Sequence, residues 1–510
     1  MSSTANRVIK NTGYLYAKMG ITMFISLYTT RLILNSLGAS DFGIFNIVGG
    51  AIAMLGFLNG AMASATQRFM SYSEGEGDKE KQKSIFNVSI ILHFAISLLV
   101  GIVLLLAGYF FFNGILNIPD GRIDAAKVVY VSLIVSTMFT VMTVPYDAAM
   151  NAHENMKYYA AVGILESLLK LAVAFACVFT AKDKLIVYGL LMACIPLITL
   201  TIMRIYCHRH YEECTFNVKR YWDKSLMREM TGFAGWNFLV SAAGVLSQYG
   251  LGIIVNSFFG VLLNAAQGIA NQISGVLMTF SQNALKAINP IIVKSEGAGE
   301  KTKFVYVSLL GCRISFFIFG FFSIPFILKM DVILQLWLKE VPQWAVLFCQ
   351  LQLLRILIEL LTLSLGSAIN AYGNIKFYTI IKSLIYFMPL VLVPVLFYFG
   401  FQPYWLYIIW ILCWSVFGGL ISIFFCRNLI GITFRFYFKQ VFIPCFCVSV
   451  LSFAVYWLVY FMIKGDNIFF QIAPVFIEII SYSLLGWFFI LQRSERVTMK
   501  NLIVRLFNFK

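Results

Sequence analysis

The heptapeptide SEGEGDK at residues 73–79 returns as SEGAGEK at residues 295–301, an offset of 222. A short acidic, glycine-rich string can recur by accident, so what matters is whether its surroundings recur at the same distance. They do. Thr12-Gly13-Tyr14 is matched by Thr231-Gly232-Phe233 at an offset of 219, and Asn35-Ser36 by Asn256-Ser257 at 221. Farther on, NAHENMKYY at residues 151–159 is matched by NAYGNIKFY at residues 370–378, again at 219. Matches at separated places with nearly constant offset mark a duplicated unit, and an internal repeat decides the architecture before any single motif does.

The composition says which solvent that unit faces. The chain has 510 residues, 60% of them hydrophobic and 12% charged, with a mean hydropathy of +0.83; soluble domains run at about 45–50% apolar and about 25% charged. A spanning helix needs about 20 mostly apolar residues. Such windows lie at 12–34, 42–66, 86–112, 126–150, 158–180 and 185–206, and after a polar stretch at 232–256, 261–288, 304–328, 344–370, 376–399, 404–426, 440–463 and 469–491. The expectation is an all-α integral membrane protein of about fourteen transmembrane helices. The polar leader MSSTANRVIKNTG ends in no small-residue cleavage site, so the first window reads as a retained span.

Each repeat holds six windows, an even number, so both halves insert in the same orientation and are expected to be related by an axis along the membrane normal. The domains expected are a first six-helix lobe at 1–207, a linker at 208–230, a second lobe at 231–427, and two extra helices with a tail at 428–510. Both heptapeptides then fall on the loop between the second and third spans of their half, where glycine interrupts the helix.

The formal charge of +16 follows from topology. With the N-terminus inside, most lysines and arginines gather on one face. The opposite loops and span ends hold only Arg31, Arg122, Lys127, Lys182, Lys184, Lys329, Lys339 and Lys464. By the positive-inside rule both termini are cytoplasmic, and the basicity requires no nucleic acid. The opposite loops are short, about a dozen residues at most around NIPDGRID, which leaves no room for an external catalytic domain. No GxxxxGK[ST] loop or HExxH helix is present. Ten cysteines, mostly in apolar windows, give no disulfide framework. CHRHYEEC at residues 207–214 has zinc-compatible side chains at a spacing that matches no standard finger.

Charge buried at bilayer depth costs at least about 2.5–3.5 kcal/mol, so it faces a partner or a wet cavity. Lys18, Lys170, Arg313, Arg355 and Lys382 lie well inside windows, and Arg31 lies near the far end of the first. Among acids only Glu166, Glu359 and Glu478 are comparably deep. Glu166 with Lys170 and Arg355 with Glu359 are four residues apart, so each pair shares a helix face and either bridges itself or serves a site. Lys18, Arg313 and Lys382 have no acid nearby in sequence, although Arg313 and Lys382 are close enough to an end to snorkel. The anion-site candidates are therefore Lys18, Arg31, Arg313, Arg355 and Lys382. Asp147, Glu166, Lys170 and Glu359 are the candidates for coupling or gating. His93 reads as a packed histidine. An excess of cations over acids suits a phosphate or pyrophosphate cargo, whereas a pump for organic cations is expected to place acids in its core. Asn59, Gln67, Asn271, Gln272, Gln282 and Asn283 interrupt spans two and eight, as packing groups or as partners for sugar hydroxyls.

Three stretches carry a family resemblance: the opening NTGYLYAKMGITMFISLYTTRLILNSLGASDFGIFNIV with its LGASDFGIF turn, the exit QRFMSYSEGEGD, and the link NAHENMKYYA. They resemble the multidrug, oligosaccharidyl-lipid and polysaccharide exporter superfamily, and most nearly its polysaccharide (O-antigen, Wzx-type) flippases, whose first turn commonly reads LG-x-x-x-[FY]-G. The resemblance implies two six-helix lobes that alternate access to a central cavity. It implies a flippase of the bacterial inner membrane that exports undecaprenyl-pyrophosphate-linked oligosaccharide for surface polysaccharide or lipopolysaccharide, with basic residues holding the pyrophosphate. The alternative is a cation-coupled multidrug antiporter of the same superfamily. Twelve spans are usual for O-antigen flippases; fourteen are familiar in the lipid II branch, where the extra two help form a groove for the lipid tail. The expected partners are the lipid-linked oligosaccharide, the bilayer and the polysaccharide polymerase machinery. No enzymatic activity and no cofactor are expected, and coupling would be to protons or sodium.

Overall fold

The computed structural model describes residues 2–53, 56–115, 118–338, 340–462, 468–493 and 495–497. Lys339, Lys464 and the tail from residue 498 lie outside the described residues. The first repeat reads α1 (Ser2–Ala53), α2 (Gly56–Glu76), α3 (Lys79–Phe110), α4 (Ile123–Ala152), α5 (Met156–Phe179) and α6 (Lys184–His210). A short α7 (Val218–Tyr221) follows. The second repeat reads α8 (Lys224–Phe259), α9 (Val261–Gly297), α10 (Lys301–Leu328), α11 (Met330–Trp337), α12 (Ala345–Tyr372), α13 (Lys376–Tyr398) and α14 (Trp405–Trp410). The last of these runs through a π-helical segment, Ile411–Phe417, into α15 (Gly418–Ile430); α16 (Phe434–Tyr437), α17 (Ile443–Met462) and α18 (Ile468–Leu485) complete the set. There is no strand among the described residues.

Among the described residues, eleven helices are long and apolar enough to cross a membrane; the chain is a multi-pass membrane protein. The described residues of the windows read as spans one, two and eight are helical too, on α1, on the end of α1 with α2, and on α9, but these helices are not among the eleven. They are interrupted by polar side chains: Lys18 and Arg31 on α1, Asn59, Gln67 and Arg68 on α2, and Asn271, Gln272 and Gln282 on α9.

The repeat is visible in backbone conformation. α1 is two helices joined at Gly38 (φ 78°), and Gly260, 222 residues on, separates α8 from α9 at φ 80°. In the heptapeptides the second glycine, Gly77 (φ 76°) and Gly299 (φ 68°), adopts the left-handed conformation that ends a helix without a Cβ clash. The acid after it occupies the N-cap position of the next helix: Asp78 accepts from the Lys81 amide at 3.0 Å, and Glu300 stands at the same position of α10 without a side-chain capping bond. The string repeats because a stop and a start of helix are needed at the same place twice. Side-chain packing repeats as well. Cys207 Sγ contacts the Tyr146 carbonyl at 3.8 Å, and Cys426 Sγ contacts the Leu365 carbonyl at 3.7 Å, both positions shifted by 219.

The chain forms two compact units. One comprises Gly13–Phe238 with Gly297–Gly299; the other comprises Met1–Thr12, Leu239–Glu296 and Glu300–Lys510. In the first unit α4 packs on α6, α3 and α2. Arg122, at the start of α4, ties the unit together at one end. Its Nε donates to Asp41 at 2.8 Å and its Nη1 to Asp183 at 2.6 Å. Asp41 belongs to the LGASDFGIF turn, and Asp183 caps α6.

In the second unit α10 packs on α12, and α17 and α18 pack on α10. α10 is the repeat counterpart of α3, yet 72% of its apolar window is buried against 28% for α3. The two extra helices account for that difference.

Candidate functional site

The second unit gathers three of the expected site residues. On α12 the Arg355 side chain, 8% exposed, donates from Nη1 to Glu359 Oε2 at 2.7 Å and from Nε to Gln352 Oε1 at 3.0 Å. Its guanidinium carbon lies 4.6 Å from the ring centroid of Trp410 and 5.5 Å from that of Trp414. On α13, Lys382 Nζ donates to the Tyr378 phenol oxygen at 2.7 Å and lies 5.8 Å from the Tyr386 centroid. Tyr386 stacks on Trp414 at 4.2 Å and is within electrostatic reach of Arg355, Glu359 and Lys382 together.

The local sequence explains the arrangement. Arg355 and Glu359 meet because they are one helical turn apart, as do Tyr378 and Lys382. Trp414 sits in the π-helical segment, whose extra residue turns it onto Tyr386; such segments recur at functional sites. The result is two cations and one carboxylate walled by four aromatic rings. Ring faces stabilise cations by about 0.5–2 kcal/mol each, more when water is excluded. They therefore hold Arg355 and Lys382 in place without neutralising them.

The first unit builds a different cluster. Lys18 Nζ of α1 lies 4.3 Å from the Tyr159 ring centroid and within hydrogen-bonding reach of its phenol oxygen. Asp147 of α4 and Glu166 of α5 act electrostatically on the same phenol. Glu166 and Lys170 pair at 2.7 Å, both more than two-fifths exposed, which is the local bridge that their spacing suggested. This cluster is balanced: Lys18 and Lys170 against Asp147 and Glu166. Arg31, farther along α1, is exposed.

Arg313 is placed elsewhere. Its Nη2 donates to Glu495 at 2.8 Å and its Nη1 to the Ile490 carbonyl at 2.8 Å, and both charged side chains are nearly fully buried. Tyr306 adds a hydrogen bond to Glu495 at 2.8 Å. The acid that Arg313 lacks locally is supplied 182 residues away, and the pair fastens the segment after α18 to α10. His93 is buried, with Nδ1 2.8 Å from the Ser89 carbonyl, as a packed histidine should be. The three polar strings of the first half also meet: His153 of NAHENMKYY lies with Nε2 2.5 Å from Glu213 of CHRHYEEC and Nδ1 3.5 Å from Glu74 of SEGEGDK.

Sequence reasoning missed the aromatic walls and Glu495. Aromatic residues make up 16% of the chain, so no single one stands out. Tyr159 and Tyr378, however, close the two matched link strings, and that shared position was a usable signal.

Comparison with known proteins agrees with this fold. The model of the family described as "Polysaccharide biosynthesis protein" matches residues 8–295. A protein of Bacillus subtilis (strain 168), "Uncharacterized membrane protein EpsK", is 28% identical over 166 residues, which cover 31% of this chain and 32% of that one. Among solved structures, a transporter of the MOP superfamily from Pyrococcus furiosus aligns with a TM-score of 0.70 at 12% identity, over 84% of this chain and 96% of its own. The Vibrio cholerae MATE transporter VcmN in its bent form aligns with a TM-score of 0.67 at 17% identity, over 84% and 98%. At such identities the structures speak for the fold.

Proposed function

Because the chain belongs to the polysaccharide biosynthesis protein family, we propose that it exports a polyprenyl-pyrophosphate-linked oligosaccharide across the bacterial inner membrane by alternating access, with both termini cytoplasmic. The observation that carries this reading is the unequal charge of the second-unit cluster: among the described residues, Arg355 and Lys382 face a single carboxylate, Glu359, at span depth. Cations at that depth call for an anionic counterpart, and a pyrophosphate supplies it. The surrounding Trp and Tyr faces suit the sugar that follows.

The lipid tail also finds support. An apolar cavity of about 610 Å³ lies between α10, α12 and α17, lined by Phe316, Ile324, Leu354, Leu357, Phe446 and Phe453. Leu354 and Leu357 flank Arg355, so one helix would carry a charged site for the headgroup and an apolar one for the prenyl chain. In the first unit Asp147, which acts electrostatically on the phenol that seats Lys18, is the acid best situated to couple transport to protons or sodium. A multidrug-cation antiporter, the fold's other role, would need acids in excess where this cluster has cations.

The test is surface polysaccharide in a strain lacking the protein. Lys382→Ala and Arg355→Ala at wild-type expression should each fail to restore it, whereas full restoration by both would remove the pyrophosphate from this site.

A further inference from the structure

The link strings fix the repeat register at 219 through the helices that follow them, and in that register Tyr159 corresponds to Tyr378. Each of these tyrosines seats a lysine ammonium. Lys382 Nζ donates to Tyr378 at 2.7 Å, and Lys18 Nζ lies 4.3 Å from the Tyr159 centroid. The lysines themselves do not correspond: Lys382 comes from α13, the same helix as its tyrosine, whereas Lys18 comes from α1. Position 382 corresponds to 163, which is glycine, and a Cβ on Gly163 would collide with Cε and Nζ of Lys18. The stem of Lys18 thus fills the space into which the side chain of residue 163 would project.

A second register match sharpens this. Asp147, which acts on Tyr159, corresponds to Gly366. A Cβ on Gly366 would lie 3.3 Å from the Tyr378 oxygen and 3.8 Å from Lys382 Nζ. The second half therefore has no carboxylate at the position from which the first half supplies one. The ammonium is kept at the same tyrosine in both halves although its helix of origin changed, so its position is the retained property.

We propose that Tyr159 and Tyr378 are positioning residues, each holding a lysine ammonium as a phosphate subsite within its own unit. The proposal rests on the cargo reading above. Its particular claim is that lobe one needs an ammonium at this place and not Lys18 as such.

The experiment uses the purified full-length protein and compares binding of farnesyl pyrophosphate with that of farnesol, which shares the tail and lacks the charge. Lys18→Ala should weaken farnesyl pyrophosphate by about tenfold and leave farnesol unchanged. Lys18→Ala/Gly163→Lys, which rebuilds lobe one on the pattern of lobe two, should recover most of that loss. Tyr378→Phe keeps the ring, removes only the acceptor oxygen, and should weaken the pyrophosphate several-fold with farnesol again unaffected; it decides the matter if the double variant does not fold. A wild-type preference for pyrophosphate that none of these variants alters overturns the subsites and leaves the cargo reading standing. A wild type that does not distinguish the two probes overturns both.

Discussion

Among the described residues Glu359 is the one carboxylate facing Arg355 and Lys382, so it sets how tightly an anion can be held there. Glu359→Gln leaves the two cations uncompensated. Relief of about 1 kcal/mol of repulsion corresponds to about fivefold tighter binding of a prenyl pyrophosphate. Release should slow in proportion, giving a lower half-saturation concentration together with a lower maximal rate in a vesicle transport assay. Gly163→Ala provides the complementary test in the other lobe. Its methyl group would displace the stem of Lys18, and transport should fall as far as with Lys18→Ala although no charge is removed. At this scale the sequence was legible where partners lie one helical turn apart, as with Arg355 and Glu359. It was opaque where they do not: Arg313 looked unpaired because a search along its own helix cannot reach Glu495, whereas folding places that carboxylate 2.8 Å away.

Two tethers at the level of whole helices carry predictions about stability. The Arg313–Glu495 pair is buried, and removing one member of such a pair strands the other, at a cost of about 3–5 kcal/mol. Glu495→Ala should therefore lower the melting temperature of the detergent-solubilised protein markedly and loosen the segment after α18, as limited proteolysis would report. The Arg122 tether is more exposed and correspondingly weaker. Arg122 holds the Asp183 carboxyl below the ordinary carboxylate range, chiefly through their hydrogen bond. A depressed folded pKa contributes stability that is present above the unfolded value of about 3.9 and is lost as pH falls through the folded one. The melting-temperature gap between wild type and Asp183→Asn, which retains the N-cap acceptor, should be constant at neutral pH and close below about pH 4. The helices themselves were legible as apolar windows. What α17 and α18 cover was not, because nothing in either sequence names α10 as the partner. Only the comparison of α10 with α3 exposes it.

At the scale of the whole molecule, duplication was legible because helix stops and starts are written in a few constrained residues, Gly77 with Asp78 and Gly299 with Glu300, which the surrounding apolar sequence makes easy to see. The division of labour between the halves was not legible, since it depends on which charges folding brings to the same tyrosine. Among the described residues, the second lobe sets two cations against one carboxylate, Glu359, and the first holds a balanced cluster that contains Asp147. The most direct measurement of the central claim is transport in proteoliposomes loaded with a fluorescent undecaprenyl-pyrophosphate-linked oligosaccharide, read by a membrane-impermeant reagent that quenches only the outer leaflet. The expected result is protein-dependent movement of the labelled lipid between leaflets that Lys382→Ala abolishes. Gradient-driven efflux of organic cations, with the labelled lipid remaining in the leaflet where it started, would contradict it.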